Sequence, residues 1–175
     1  MSRPRFGISR CLLGECVRYD GRHKLDPYLR DQLGGLVEWV PVCPEVECGL
    51  AVPREPIRLV GARLETVETR RDLTARMAEF CRRRVEELAE LGLAGFVFKS
   101  KSPSCGLSGV GIFDAAGNRI GEGRGCFAAA WLRRFPGLTA VEAEALHESD
   151  ARRELERRVA ELQERPETLF FQRFL

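Results

Sequence analysis

Short runs of β-branched and aromatic residues alternate with segments of helical periodicity along most of the chain. A strand that pairs in parallel with the preceding one needs a crossover long enough to hold a helix, so this alternation predicts a parallel sheet. We therefore expect an α/β fold, with a Rossmann-like, mostly parallel sheet flanked by helices. The pattern predicts strands over residues 5–10, 37–42, 57–60, 95–99 and 110–113, with residues 57–60 at an edge.

Apolar residues spaced by three and four positions predict the helices. Helices are expected over residues 25–33, 73–91 and 127–135, and a charged amphipathic helix is expected from residue 141 onward. Asp26 and Asp72 stand where N-terminal caps belong. We therefore divide the chain into an α/β domain, residues 1–138, and a C-terminal helical extension, residues 139–175.

Composition and targeting signals restrict the setting in which the chain works. Its apolar runs are shorter than the roughly 18 residues of a membrane helix, and its first residues do not resemble a signal peptide. We therefore expect a cytoplasmic protein without a membrane partner. The net charge of +2 is small, and nucleic acid is not the partner we expect. The chain has seven cysteines, and in a reducing compartment this number favours metal or thiol chemistry over disulfides.

Three of these cysteines, Cys11, Cys43 and Cys105, each follow a predicted strand. In an open α/β sheet ligands bind beyond the carboxyl ends of the strands, so the three thiols are expected to converge there. The sequence lacks the CxxC pairs that are typical of zinc sites, so zinc is an alternative that the spacing does not indicate. Three thiolates on an iron–sulfur cluster would leave one iron open as a Lewis acid for sulfur. The alternative is that these cysteines are small packing residues.

Polar residues beside these cysteines could supply acid–base chemistry. Glu45 follows Cys43 and Pro44, where its carboxylate could act as a general base on water, unless it is a solvated loop acid. Ser100, Ser102 and Ser104 precede Cys105, and their hydroxyls could position a water or bind a polar ring, unless they only cap the next helix.

Five stretches of the chain resemble a bacterial family of thiouracil desulfidases. They are ISRCLLGECVRYDG (8–21), VPVCPEVECGLAVPRE (40–55), RDLT (71–74), FKSKSPSCG (98–106) and GRGCFA (123–128). The resemblance covers about residues 6–150. It implies a non-redox enzyme that holds an oxygen-sensitive [4Fe-4S] cluster through three cysteines, with the free iron taking the sulfur of a thiolated uracil.

The resemblance also implies roles for particular residues. Cys11, Cys43 and Cys105 are the expected cluster ligands, and Glu45 and Ser102 are expected to orient the attacking water. Cys48 stands on the same loop as Cys43 and could replace it as the third ligand. The expected substrate is a small thiolated nucleobase, with free thiouracil, a thiolated nucleoside and another thioamide left open. A rival interpretation is a sensing module, in which an iron–sulfur cluster or a zinc ion reports redox or metal state without turnover.

Overall fold

The computed structural model describes residues 3–165. Eight strands and four helices follow one another along this part of the chain. In chain order they are β1 (Arg5–Ser9), β2 (Glu38–Val42), α1 (Pro44–Glu47), β3 (Ile57–Val60), β4 (Arg63–Thr66), α2 (Thr74–Glu90), β5 (Gly95–Phe98), β6 (Val110–Phe113), β7 (Arg119–Gly123), α3 (Cys126–Arg134), β8 (Thr139–Glu142) and α4 (Ser149–Glu164).

A four-stranded parallel sheet organises the fold. Its strand order is β2-β1-β5-β8, and every neighbouring pair is parallel. The prediction of an α/β fold with a parallel sheet and flanking helices is confirmed. Because β2, β1 and β5 are neighbours that run in the same direction, their carboxyl ends lie together at one edge.

A second sheet, which the sequence did not predict, has the order β4-β3-β6-β7. Strands β3 and β6 pair in parallel, whereas β3–β4 and β6–β7 are antiparallel hairpins. The prediction that residues 57–60 form an edge strand is wrong, because β3 lies between β4 and β6. The prolines that suggested an edge precede the strand, so its own N–H groups are free to pair on both sides.

The predicted helices are confirmed in part. Helix α2 begins where the Asp72 carboxylate accepts a hydrogen bond from the Thr74 N–H at 2.8 Å. Asp26 also accepts a hydrogen bond, from the Leu29 N–H at 3.2 Å, but its segment forms only two short irregular turns, Tyr28–Gln32 and Leu33–Gly35. The helix predicted from residue 141 begins at Ser149, because residues 139–142 form β8 and pair with β5.

The boundary after residue 138 stays a prediction, and the part of the extension beyond residue 165 lies outside the described residues. On the N-terminal side of that limit, β8 belongs to the parallel sheet, and α4 buries Leu155 and Val159 in the same core as Val97 of β5. Between residues 3 and 165 no helix is both long and apolar enough to cross a membrane.

Aromatic side chains fill the core behind the central strand. Phe96 and Phe98 of β5 stack with ring centroids 4.3 Å apart, and both contact Phe127 and Trp131 of α3. Close packing of such rings contributes stability beyond simple burial. The carboxyl end of β5 is therefore packed into the core where the chain enters the loop that carries Cys105.

Candidate functional site

Cys11, Cys43 and Cys105 line a single cavity of about 320 Å³ at the carboxyl edge of the parallel sheet. Cys11 lies in a single turn of helix, Arg10–Leu13, directly after β1, and Gly14 ends that turn with φ of 95°. Cys43 follows β2 and precedes α1. Cys105 lies on the loop between β5 and β6. The convergence predicted from the strand ends is therefore present.

Burial dominates the protonation of the three thiols. It raises the pKa of Cys11 to about 11 and also raises the pKa of Cys43 and Cys105. Removal from water is the largest cause in each case, because it disfavours the charged thiolate. Charge repulsion from Cys43 raises the pKa of Cys11 further. A bound metal would reverse this balance, because its positive charge stabilises the thiolate.

Glu45 lines the same cavity from the first turn of α1. Its Oε2 accepts hydrogen bonds from Nε and Nη2 of Arg54 at 2.9 and 2.7 Å, and its Oε1 accepts one from Ser104 Oγ at 2.9 Å. Both charged side chains are nearly buried, with exposed fractions of 13% for Glu45 and 8% for Arg54. A carboxylate offers about four acceptor positions, so these three donors leave one position, on Oε1.

Arg54 is the main residue of the site that the sequence interpretation missed. Besides Glu45, it donates to the carbonyl oxygens of Val17 and Ala51 at 3.0 and 3.1 Å. The backbone N–H of Arg54 donates to the Tyr19 carbonyl oxygen at 2.8 Å. Arg54 therefore links the loop after β1 to the Glu45 carboxylate. The only sequence signal was its place in the stretch VPRE, within one of the family-like motifs.

Ser102 is connected to Glu45 by hydrogen bonds through Ser104. Its Oγ accepts the backbone N–H groups of Ser104 and Cys105 at 3.3 and 3.2 Å and lies 3.0 Å from Ser104 Oγ. Because Ser104 donates its hydroxyl proton to the carboxylate, Ser102 is the donor in the pair of serines. The two hydroxyls and Glu45 thus form one chain of hydrogen bonds, and Ser104 is the member next to the carboxylate.

The first turn of α3 holds the loop that carries Cys105. The Cys126 N–H donates to the Pro103 carbonyl oxygen at 3.0 Å, and the Phe127 N–H donates to the Ser104 carbonyl oxygen at 2.9 Å. Gly125, at the N-cap of α3, approaches the loop so closely that an added Cβ would lie 2.5 Å from the Ser104 carbonyl carbon. The motif GRGCFA is therefore part of the support for this loop.

Replacing Gly125 with Ala is expected to lower the free energy of unfolding by about 1–3 kcal/mol, because the new methyl group meets backbone atoms that cannot rotate away. Urea denaturation measures the change. Gly121→Ala is the matched control, since an added Cβ there has no atom within 4 Å, and we expect less than about 0.5 kcal/mol. Equal effects of the two substitutions would contradict the close approach.

Cys48 lies in a different environment from the three cavity cysteines. It is not among the cavity residues within the described range 3–165. Its Sγ lies 3.2 Å from the Glu45 carbonyl oxygen, and its side chain packs against the apolar core that contains Cys81. In the same range, no three His, Cys, Asp or Glu side chains are grouped as the ligands of a metal ion would be.

Comparison with known proteins agrees with these motifs. A family model for 2-thiouracil desulfurase matches residues 6–143. The chain belongs to this family. Membership in the 2-thiouracil desulfurase family supports a desulfidase role, that is, an enzyme acting on C–S bonds, and it confirms the resemblance found in the sequence.

Two individual proteins are similar to this member of the 2-thiouracil desulfurase family. The uncharacterized protein YbbK of Bacillus subtilis (strain 168) is 30% identical over 108 residues, which are 57% of this chain and 71% of that protein. The solved structure of the [4Fe-4S]-dependent thiouracil desulfidase TudS matches with a TM-score of 0.69 and 30% sequence identity. That match covers 87% of this chain and 99% of the TudS chain.

Proposed function

We propose that this chain removes sulfur from a thiolated uracil, or from a related thiolated nucleobase or nucleoside, with a [4Fe-4S] cluster as cofactor and water as the nucleophile. The observation that carries the proposal is that Cys11, Cys43 and Cys105 open onto the same cavity as the Glu45 carboxylate. The [4Fe-4S] dependence in the name of the similar TudS structure supports the choice of cofactor.

The residues present fit such a cluster. Thiolates are the usual ligands of iron–sulfur clusters, and each one binds a different iron, so the three thiols need not crowd around a single ion. The buried hydroxyl of Ser100, on the same cavity, has no hydrogen-bond partner among residues 3–165 and could serve a group that binds there. In our proposal Cys11, Cys43 and Cys105 hold the cluster, which supplies, when bound, an open iron that acts as a Lewis acid on the thiocarbonyl sulfur.

Glu45 is proposed as the general base. Its Oε2 is occupied by Arg54, so the water is assigned to the remaining acceptor position on Oε1, which also holds Ser104. Arg54 fixes the direction of the carboxylate, and Ser102 acts on it through Ser104. Oε1 takes a proton from water as its oxygen bonds to the thiocarbonyl carbon. The proton left on the added oxygen then passes to the sulfur as the carbonyl forms and the C–S bond breaks. The sulfur leaves as hydrosulfide and Glu45 returns its proton to solvent, so water and the thiocarbonyl give a carbonyl, hydrosulfide and one proton with no electrons gained or lost.

The proposal is tested by purifying the protein without oxygen and incubating it with 2-thiouracil, 4-thiouracil and 4-thiouridine. We expect a brown protein with a broad absorption band near ~400 nm that releases hydrosulfide and the matching oxygenated base in equal amounts. A colourless protein that contains zinc would contradict the cofactor. A brown protein that releases no hydrosulfide from any of these compounds would favour the sensing module instead.

A further inference from the structure

Four serines line the cavity, and one of them is unlike the rest. Ser9 Oγ accepts the Lys99 N–H at 2.9 Å, and the hydroxyls of Ser102 and Ser104 bond to each other. Within residues 3–165, the Ser100 hydroxyl has no hydrogen-bond partner, although the residue is only 2% exposed. A buried hydroxyl is costly to leave unpaired, so its partner is expected to be a group that enters the cavity.

The depth of Ser100 indicates which group this is. Its exposed fraction of 2% is similar to those of Cys105 and Cys11, at 5% and 9%, whereas the third proposed ligand, Cys43, is half-buried. The two residues assigned to the water are more exposed, because the Glu45 side chain is 13% exposed and Ser102, which acts on Glu45 through Ser104, is half-buried. A substrate enters from the outside and meets the more exposed groups first, whereas a resident cofactor extends to the buried end of the cavity, beside Cys11 and Cys105.

The chain around Ser100 is also fixed in place. Ser100 lies two residues after the end of β5, and its carbonyl oxygen accepts a hydrogen bond from Lys99 Nζ at 2.7 Å. The backbone N–H of Lys99 donates a hydrogen bond to Ser9 Oγ, and the Ser9 hydroxyl also interacts with the Cys105 thiol. Ser100 therefore belongs to the same bonded framework as a proposed cluster ligand.

We infer that the Ser100 hydroxyl donates a hydrogen bond to a sulfur atom of the bound cluster, and that Ser100 is thus a positioning residue for the cofactor. This inference rests on the proposed function. Cluster sulfurs carry partial negative charge, and donated hydrogen bonds to them raise the reduction potential and help to retain the cluster. An O–H group that has no partner in the described part of the chain is suited to this role.

The experiment compares wild type, Ser100→Ala and Ser100→Thr after the same reconstitution with iron and sulfide under anaerobic conditions. Ser149→Ala is the matched control, because Ser149 is exposed at the start of α4 and does not line the cavity. Three quantities are measured for each protein: the iron content per chain, the midpoint potential from an EPR-monitored reductive titration, and the rate of iron loss to a chelator. None of these measurements depends on turnover.

We expect Ser100→Ala to shift the midpoint potential to a more negative value and to lose iron severalfold faster, whereas Ser100→Thr and Ser149→Ala behave as wild type. If Ser100→Ala binds no iron while Ser100→Thr binds the full amount, the result would also support a role of the Ser100 hydroxyl in holding the cluster. Wild-type potential and iron loss in Ser100→Ala, or equal defects in the Ala and Thr variants, would overturn this inference alone. Wild type that binds no cluster would overturn the proposed function and this inference with it.

Discussion

Replacing Glu45 with Gln is expected to slow hydrosulfide release by about 10²- to 10⁴-fold, which is the usual contribution of a positioned general base. The amide keeps the size of the side chain and an oxygen that can accept hydrogen bonds, but it cannot take a proton from water at neutral pH. Iron per chain should stay close to the wild-type value, because Glu45 is not a proposed ligand. The measurement is hydrosulfide released per iron under anaerobic conditions.

The control for Glu45→Gln must separate catalysis from the loss of a buried ion pair, since the nearly buried Arg54 loses its charged partner. Glu65→Gln provides this control. The Glu65 side chain is only 6% exposed and forms an ion pair with Arg58 at 3.3 Å, and Glu65 does not line the cavity. Both variants should lose stability, but only Glu45→Gln should lose rate per iron. Full activity in Glu45→Gln would remove the residue from the mechanism.

Replacing Cys43 with Ser is expected to remove most of the iron, whereas Cys48→Ser should keep it. Cys43 opens onto the cavity with Cys11 and Cys105, and a serine oxygen is a poor substitute for a soft thiolate. Cys48 is directed to the Glu45 carbonyl oxygen at 3.2 Å, a contact that a serine hydroxyl can reproduce. Iron and sulfide per chain, together with absorbance near ~400 nm, measure the outcome after identical reconstitution.

Cys11→Ser and Cys105→Ser serve as reference variants for Cys43→Ser, because all three thiols share the cavity. Their iron content defines what the loss of a ligand looks like in this protein. If Cys48→Ser matches these reference variants while Cys43→Ser retains its iron, the third ligand is Cys48 and the proposed ligand set is wrong.

The parallel sheet could be predicted because its two inner strands carry short buried apolar runs, FGI in β1 and GFVF in β5. Strands β4, β7 and β8 were missed because their sequences, RLET, RIGEG and TAVE, carry polar, charged or small residues. Such segments become strands through their partners. Gly61, with φ of 54°, turns the chain so that β4 pairs back on β3.

The positions of the cavity cysteines and of Glu45 followed from one rule, that parallel strands end at the same edge of a sheet. No comparable rule relates Arg54 to Glu45 or Gly125 to Ser104. Those contacts depend on how separate loops are placed relative to one another, and the spacing of residues along the chain does not encode that placement. For the same reason the sequence could not decide between Cys43 and Cys48 as the third ligand. The two residues flank the short helix α1, and Cys43 lines the cavity whereas Cys48 packs against the core.

The hydrogen bonds between α3 and the loop of Cys105 have a consequence for the life cycle of the protein. The loop is anchored by backbone contacts to Cys126 and Phe127, and none of these contacts involves a metal. Inserting a cofactor therefore requires little additional ordering of this segment, in contrast to small zinc domains that fold only with their metal. Damage by oxygen to the proposed cluster should accordingly be repairable, with an intact polypeptide accepting fresh iron and sulfide without being refolded.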